Sequence, residues 1–223
     1  MLRGSASANA DRNERRKRRT RSALLEAARE LFREKGVDAT TVSDIAARAD
    51  VAYGTFYNHF KTLDDVVTAV AGASVEQILA RVTAIMADVS DPDLLPCVGA
   101  RVILRTFLQD PVVHWLLERP YLFVSKFQDK AGPFMRAVEG PGVANGRLRP
   151  AAGHEVWIRT LPWVLLSELN DTVAHGNALM HEDSFARICM RLMGIREDAV
   201  DGLLRLSMEL VGPYDATGPV SGA

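Results

Sequence analysis

Cysteine is scarce in this chain: Cys97 and Cys189 are the two among 223 residues. Neither stands in a CxxC or Cys/His spacing, which argues against both a zinc site and a disulfide framework. Both read instead as small apolar residues inside helices, in a reducing compartment. The five histidines (His59, His114, His154, His175 and His181) also lack metal-ligand spacing, so no metal and no cofactor is expected. GxSxG, HExxH, a phosphate-binding glycine loop and a dinucleotide fingerprint are all missing. Catalysis is therefore not expected. No apolar run approaches the roughly 20 residues that a spanning helix needs, so no membrane partner is expected. The opening MLRGSASANADRNERR has no apolar core segment and does not read as a secretory signal, which leaves a cytoplasmic location. Period-2 alternation is absent as well, so almost no sheet is expected and the fold class is all-α.

What is present fits a globular protein: 48% of residues are hydrophobic and 25% charged. The net charge of −1 conceals a polarity along the chain. Residues 1–61 carry 13 Lys and Arg against 8 Asp and Glu, a balance of +5; the remainder carries 14 against 20, a balance of −6. A basic front and an acidic rear suit a polyanionic partner for the front only. The front opens with a Ser/Ala/Asn-rich stretch and the cluster Arg12, Arg15, Arg16, Lys17, Arg18, Arg19 and Arg21, read as a disordered basic arm over residues 1–17. From Arg18 to Lys35, Leu24, Ala27, Ala28, Leu31 and Phe32 form one apolar stripe, an amphipathic helix closed by Gly36 as a left-handed cap.

The stretch Thr40–Phe60, TTVSDIAARADVAYGTFYNHF, carries most of the functional information. Val42, Ile45, Ala46 and Ala49 recur at helical spacing, with Thr40 or Thr41 available to cap the start. Ala49-Asp50-Val51 breaks the period, and a second short helix places Phe56 and Phe60 on one side. Tyr53, Thr55, Asn58 and His59 are left on its other sides. Two short helices joined by a tight turn make a helix-turn-helix, whose second helix fits the DNA major groove. Asn can pair with adenine, Thr offers a hydroxyl and a methyl, and Tyr and His reach phosphates or base edges.

The pattern Val42-x-x-Ile45-Ala46-x-x-Ala49-x-Val51-x-x-x-Thr55-Phe56-Tyr57-x-His59-Phe60 resembles the DNA-binding signature of the TetR family of bacterial transcriptional regulators, over about residues 18–70. The resemblance implies a DNA-binding domain over 18–61, with Ser43 near a base or phosphate, Tyr53, Gly54 and Thr55 opening the recognition helix, and Tyr57, Asn58 and His59 along the backbone or groove wall. Arg18, Thr41 and Lys61 complete the expected DNA-facing set. Three departures stand out. Asp50 occupies a usual glycine position and is expected to need positive φ. Ala52 replaces a capping serine. Leu63 replaces a frequent phosphate-contacting lysine, whose role Lys61 is expected to take.

Beyond Thr62 a connecting helix is expected to run to Asp88, followed by helices over 94–109, 111–118, 121–139 with a break at Gly132-Pro133, 153–175, 182–193 and 196–211. Gly140–Pro150 reads as a loop, residues 62–212 as one helical effector-binding and dimerisation domain, and 213–223 as a flexible tail. The helices at about 153–175 and 196–211 are apolar on more than one face, which suggests a homodimer, as the resemblance also implies. Phe107, Trp115, Phe123, Phe127, Phe134, Met135 and Trp163 are candidates to line a pocket for a small-molecule effector. His114, Glu168, Asn170 and Asp171 are polar residues close to these apolar stretches. The resulting expectation is a ligand-responsive regulator, a repressor by family default, that binds a roughly palindromic duplex operator as a homodimer. An all-helical ligand carrier or interaction module without specific DNA binding is the alternative.

Overall fold

The computed structural model describes residues 4–110 and 112–212, with side chains described from residue 11 onward. Every regular element among them is helical: α1 Gly4–Lys35, α2 Val42–Arg48, α3 Tyr53–Tyr57, α4 Leu63–Ala87, a 3-10 turn Pro92–Leu94, α5 Leu95–Leu108, α6 Val113–Leu117, α7 Pro120–Ala144, α8 His154–His175, α9 Ala178–Leu192 and α10 Glu197–Val211. They form two compact units that divide between Ala71 and Gly72. The expected tail at 213–223 lies outside the described residues.

The first unit is the helix-turn-helix head. Its core is Leu24, Ala27, Ala28, Leu31 and Phe32 from α1, Ile45 and Ala46 from α2, Phe56, Phe60, and Val66, Val67 and Val70 from the start of α4. A three-helix core is small, and the first two turns of α4 enlarge it. The basic segment differs from expectation. Residues 4–17 are the leading turns of α1, not a loose arm, and the helix begins at Gly4 instead of Arg18. Ion pairs one turn apart, Asp11–Arg15 at 2.7 Å and Glu14–Arg18 at 3.5 Å, favour that continuation.

α4 begins with a reciprocal cap. The Asp65 amide donates to Thr62 Oγ1 at 3.1 Å, while the Asp65 carboxylate accepts from the amides of Thr62 (3.1 Å) and Lys61 (2.9 Å). The helix passes through Gly72 unbroken. By length and composition α4 is apolar enough to cross a membrane, with a mean hydropathy of 1.3 over its best 18-residue window, where the sequence reading saw no such run. Its apolar residues have a core explanation. Val75, Ile78, Leu79, Val82 and Met86, at spacings of three and four, are all buried.

In the second unit α5 is the central helix, packed against α9, α10 and α8, while α7 pairs with α8 and α6 rests on both. The expected break at Gly132-Pro133 and the loop beginning at Gly140 are replaced by one continuous α7 that holds Pro133 and Pro141. Each proline removes one hydrogen bond to the carbonyl four residues earlier, on Asp129 and Ala137. Both of those residues are exposed, so water can take the freed bond. Gly194, at φ 77°, packs where a Cβ would lie 2.3 Å from the Arg149 carbonyl oxygen. Only glycine fits that junction.

An ionic cluster holds α5 to α9 and α10. Arg101 and Arg105, one turn apart on α5, are 1% and 2% exposed, and Glu182 of α9 is fully buried between them. Glu182 pairs with Arg101 and accepts from Arg105 Nε at 2.7 Å and Nη2 at 2.8 Å. Arg101 also reaches Asp183 (2.5 Å), the Ser207 hydroxyl (2.8 Å) and the Leu204 carbonyl (3.3 Å). Arg105 Nη1 donates to the Gly212 carbonyl at 2.9 Å. Removing one partner of a buried ion pair leaves an uncompensated charge and costs about 3–5 kcal/mol. Glu182→Gln is expected to lose stability on that scale in urea unfolding at fixed protein concentration. A loss below about 1 kcal/mol would show that solvent screens the cluster.

Candidate functional site

The helix-turn-helix is set by local hydrogen bonds. Of the two candidate caps for α2, Thr41 does the work: the Asp44 amide donates to its Oγ1 at 3.2 Å, and its own amide donates to Asp44 Oδ2 at 2.9 Å. The Thr40 hydroxyl instead donates back to the Gly36 carbonyl at 2.7 Å. Lys35 Nζ lies 2.7 Å from Asp44 Oδ2, linking the end of α1 to the start of α2. That ammonium, followed by the Thr41 hydroxyl and amide, holds the Asp44 carboxyl far below the usual carboxylate range. At the other end of α2, Arg48 is clamped by Glu30 (3.1 Å) and Glu34 (2.7 Å) of α1. Asp44 and Arg48 therefore orient α2, a role that sequence reasoning did not assign them. The signal available was their spacing against Lys35, Glu30 and Glu34.

The turn behaves as its residues require. Asp50 has φ 54°, the left-handed conformation expected there. Ala52 is the N-cap of α3 at φ −62°, ψ 143°, and no side chain bonds the helix start. On α3, Tyr53 and Tyr57 are 53% and 48% exposed, more than a buried structural pair would be. Their rings meet edge to face at 5.4 Å and their hydroxyls are 2.9 Å apart. That hydrogen bond raises the Tyr57 phenol's pKa, so it stays protonated. A Cβ added at Gly54 would meet nothing within 4 Å. The glycine has no packing partner here and leaves room for a close external approach.

Ser43, Asn58, Lys61 and Arg18 are exposed, and Thr55 is half-buried. His59 is also half-buried, and its Nδ1 is a buried nitrogen without a hydrogen-bond partner. Burial, then the charges of Lys17 and Arg21, pushes its pKa below the usual value, so the ring is neutral at pH 7. Arg21 stacks over the Phe60 ring at 4.7 Å, which fixes one guanidinium of the basic cluster close to α3's exit. The head thus presents two phenols, an amide, a serine and a threonine hydroxyl with cations beside them, the mixture that reads base edges and phosphates.

The second unit contains a narrow cavity, with about 20 Å³ open to the centre of a water molecule, enough for one or two waters. Met86, Gly99, Phe134, Met135, Trp157 and Leu161 are among its lining residues, as are Glu139 and Cys189. Of the seven expected pocket residues, Phe134 and Met135 line it. Phe107, Phe123 and Phe127 form a buried ring cluster joining α5 to α7, with centroids 5.3–6.3 Å apart. Trp115 is buried under Arg119, and Trp163 is 43% exposed and stacked edge-on against Tyr121. His114, Asn170 and Asp171 are exposed, and Glu168 pairs with His181 at 3.0 Å. Glu139 and Trp157, unmarked by the sequence reading, bring polar atoms to the cavity wall. Both cysteines are buried free thiols, with pKa values raised by desolvation. Among the described residues no group of three or more His, Cys, Asp or Glu is placed to hold a metal ion.

Residues 24–70 match the model of the bacterial regulatory proteins, tetR family. The chain is 33% identical over 101 residues to the HTH-type transcriptional repressor Rv3405c of Mycobacterium tuberculosis, covering 44% of this chain and 52% of that one. It is 25% identical over 156 residues to the HTH-type transcriptional repressor KstR2 of Rhodococcus jostii, covering 65% and 76%. The chain thus spans about half the length of the first of these curated relatives. In fold it is similar to RolR crystallised with resorcinol, with a TM-score of 0.76 at 20% identity over 93% of this chain and 99% of that one.

The uncapped start of α3 gives a direct test of the local reading. Ala52 already has the extended backbone of a capping residue, so Ala52→Ser should add the missing bond and about 0.5–2 kcal/mol of stability. Thr41→Ala should lose a similar amount. Calorimetric unfolding of both variants beside the wild-type chain measures the two shifts.

Proposed function

The chain belongs to the tetR family of bacterial regulatory proteins through its residues 24–70, and from that premise we propose a ligand-responsive transcriptional repressor that grips duplex DNA as a homodimer. The observation that carries this reading is α3. Two tyrosines stand half-exposed on a short helix beside an unpacked Gly54, on a scaffold fixed by Thr41, Asp44 and Arg48. Tyr53, Gly54 and Thr55 meet bases in the major groove. Ser43, Tyr57, Asn58, His59 and Lys61 line its wall, and Thr41 and Arg18 stand at its edge. The helical front of α1, with Arg12, Arg15, Arg16, Lys17 and Arg19 exposed, adds sequence-independent attraction to phosphates. The protein acts in the cytoplasm, and its work is binding, not catalysis.

The dimer face is proposed on α8 and α10, where Trp163, Val173, Leu206 and Leu210 are exposed apolar residues on a protein with a well-filled core. A two-fold pair presents two recognition helices to successive groove faces, so the operator is roughly palindromic. The effector is small and largely apolar and takes the cavity of the second unit. As it stands, that cavity admits only water, so an effector must displace Met86, Phe134 or Met135 to enter. Met86 belongs to α4, whose first turns are part of the head. Ligand entry and the head therefore share a helix, and an effector that favours the opened cavity shifts operator affinity by about 1–3 kcal/mol of coupling free energy.

Gel shifts on the DNA upstream of its own gene test the reading. Specific binding should weaken with salt, with a slope of about −0.9 per neutralised phosphate, and fall about tenfold or more in Tyr57→Ala and His59→Ala. Binding indifferent to duplex sequence would favour a helical carrier or interaction module instead. Leu206→Glu with Leu210→Glu should convert a dimer to a monomer on size-exclusion chromatography and abolish the palindrome preference. Wild-type protein that already elutes as a monomer at micromolar concentration would remove the dimer.

A further inference from the structure

One charged group breaks the apolar lining of the cavity. Val82, Met86, Pro96, Ile103, Val138 and Leu161 supply hydrocarbon and thioether surface, and Glu139 of α7 stands among them, 6% exposed. A buried carboxyl needs partners, and this one is half supplied. Trp157 Nε1 donates to its Oε2 at 2.9 Å, and His154 Nε2 lies 3.0 Å from the same oxygen. Oε1 takes no hydrogen bond from any described residue. Desolvation raises the Glu139 pKa, while the His154 and Trp157 bonds oppose it. Both ring nitrogens engage Oε2, which leaves Oε1 as the oxygen open to a further partner.

Resting on the effector reading of this cavity, we infer that its ligand is a neutral apolar molecule about one ring in size that donates a single hydroxyl to Glu139 Oε1. The chemistry of the wall decides against the other classes. A carboxylate or phosphate would face Glu139 at contact distance with no cation in the lining to offset the repulsion. A ketone has no proton to give, and a hydrocarbon leaves Oε1 unsatisfied when it expels the water that can serve it. An amine would have to strip its ammonium of water, and the one oxygen open to it would leave its other N–H donors unpaired among hydrocarbon. Room for a ring comes from the unbranched side chains of Met86 and Met135, which can change rotamer without moving backbone. Gly99 helps: a Cβ there would sit 3.8 Å from the Met86 thioether, so its absence leaves that side chain space.

The test is titration calorimetry of the full-length chain with 4-propylphenol, propylbenzene, propiophenone, 4-propylbenzoate and 4-propylbenzylamine. The phenol is expected to bind at least tenfold tighter than each of the others. In Glu139→Leu that preference should vanish while propylbenzene binds at least as well as before. Glu139→Gln keeps the volume and an acceptor oxygen and should retain a preference of a few fold, which guards against misfolding of the leucine variant. Equal binding of phenol and hydrocarbon, tighter binding of the ketone, acid or amine, a preference that survives Glu139→Leu, or no binding by any probe overturns the assignment. Operator affinity measured with the bound phenol separates the two readings. Tight phenol binding without operator release removes the effector role and leaves the hydroxyl site, whereas release by an acidic ligand does the reverse.

Discussion

The buried cluster of Arg101, Arg105 and Glu182 is the constraint on which the second unit depends. It ties α5 to α9 and α10 through side chains 77–106 residues apart in sequence. Such a cluster adds little net stability over a well-packed apolar replacement, because three charges must first leave water. Its effect is on register. A leucine layer tolerates sliding by a fraction of a turn, whereas a carboxylate paired with Arg101 and held by two bonds from Arg105 at 2.7 and 2.8 Å does not. With α5 fixed against α9, the cavity wall contributed by Pro96, Gly99, Ile103 and Cys189 is fixed too. The movable part of that wall is its methionines and Phe134, so any adaptation to a ligand is confined to them.

The head is organised differently. Its hydrophobic core is modest, and charged side chains on exposed positions do the orienting: Lys35 with Asp44, and Arg48 with Glu30 and Glu34. Exposed pairs of this kind are individually weak and screened by salt. A unit built on a rigid buried cluster and a head built on solvent-exposed links respond unequally to ionic strength. Salt loosens the links that aim α2 and leaves the buried cluster of the second unit largely untouched.

The features legible in the sequence were those decided within a few residues. The Thr62 start of α4, the left-handed Asp50 and the bare Ala52 each follow from one side chain and its immediate backbone. The start of α1 was misjudged because composition suggested disorder, while pairs such as Asp11–Arg15 support helix. The α7 break was misjudged because a proline's cost depends on whether water reaches the carbonyl it abandons, which is a tertiary property. The buried ions went unread in the sequence. Two arginines one turn apart on a helix as apolar as Leu95–Leu108 require an acid from elsewhere, but nothing local says that it is Glu182. Glu139 had no such mark, since its partners His154 and Trp157 lie on the next helix.

The pair of phenols on α3 has one more consequence. Between Tyr53 and Tyr57 a single hydroxyl hydrogen is shared across 2.9 Å, and either oxygen can be the one that gives it. The other hydrogen is left pointing outward. Rotating the two hydroxyls exchanges the roles and relocates that outward hydrogen by about the distance between the oxygens, with no backbone atom displaced. One surface can thereby address acceptors at two positions, a small tolerance for variation in whatever it meets that a lone tyrosine would lack.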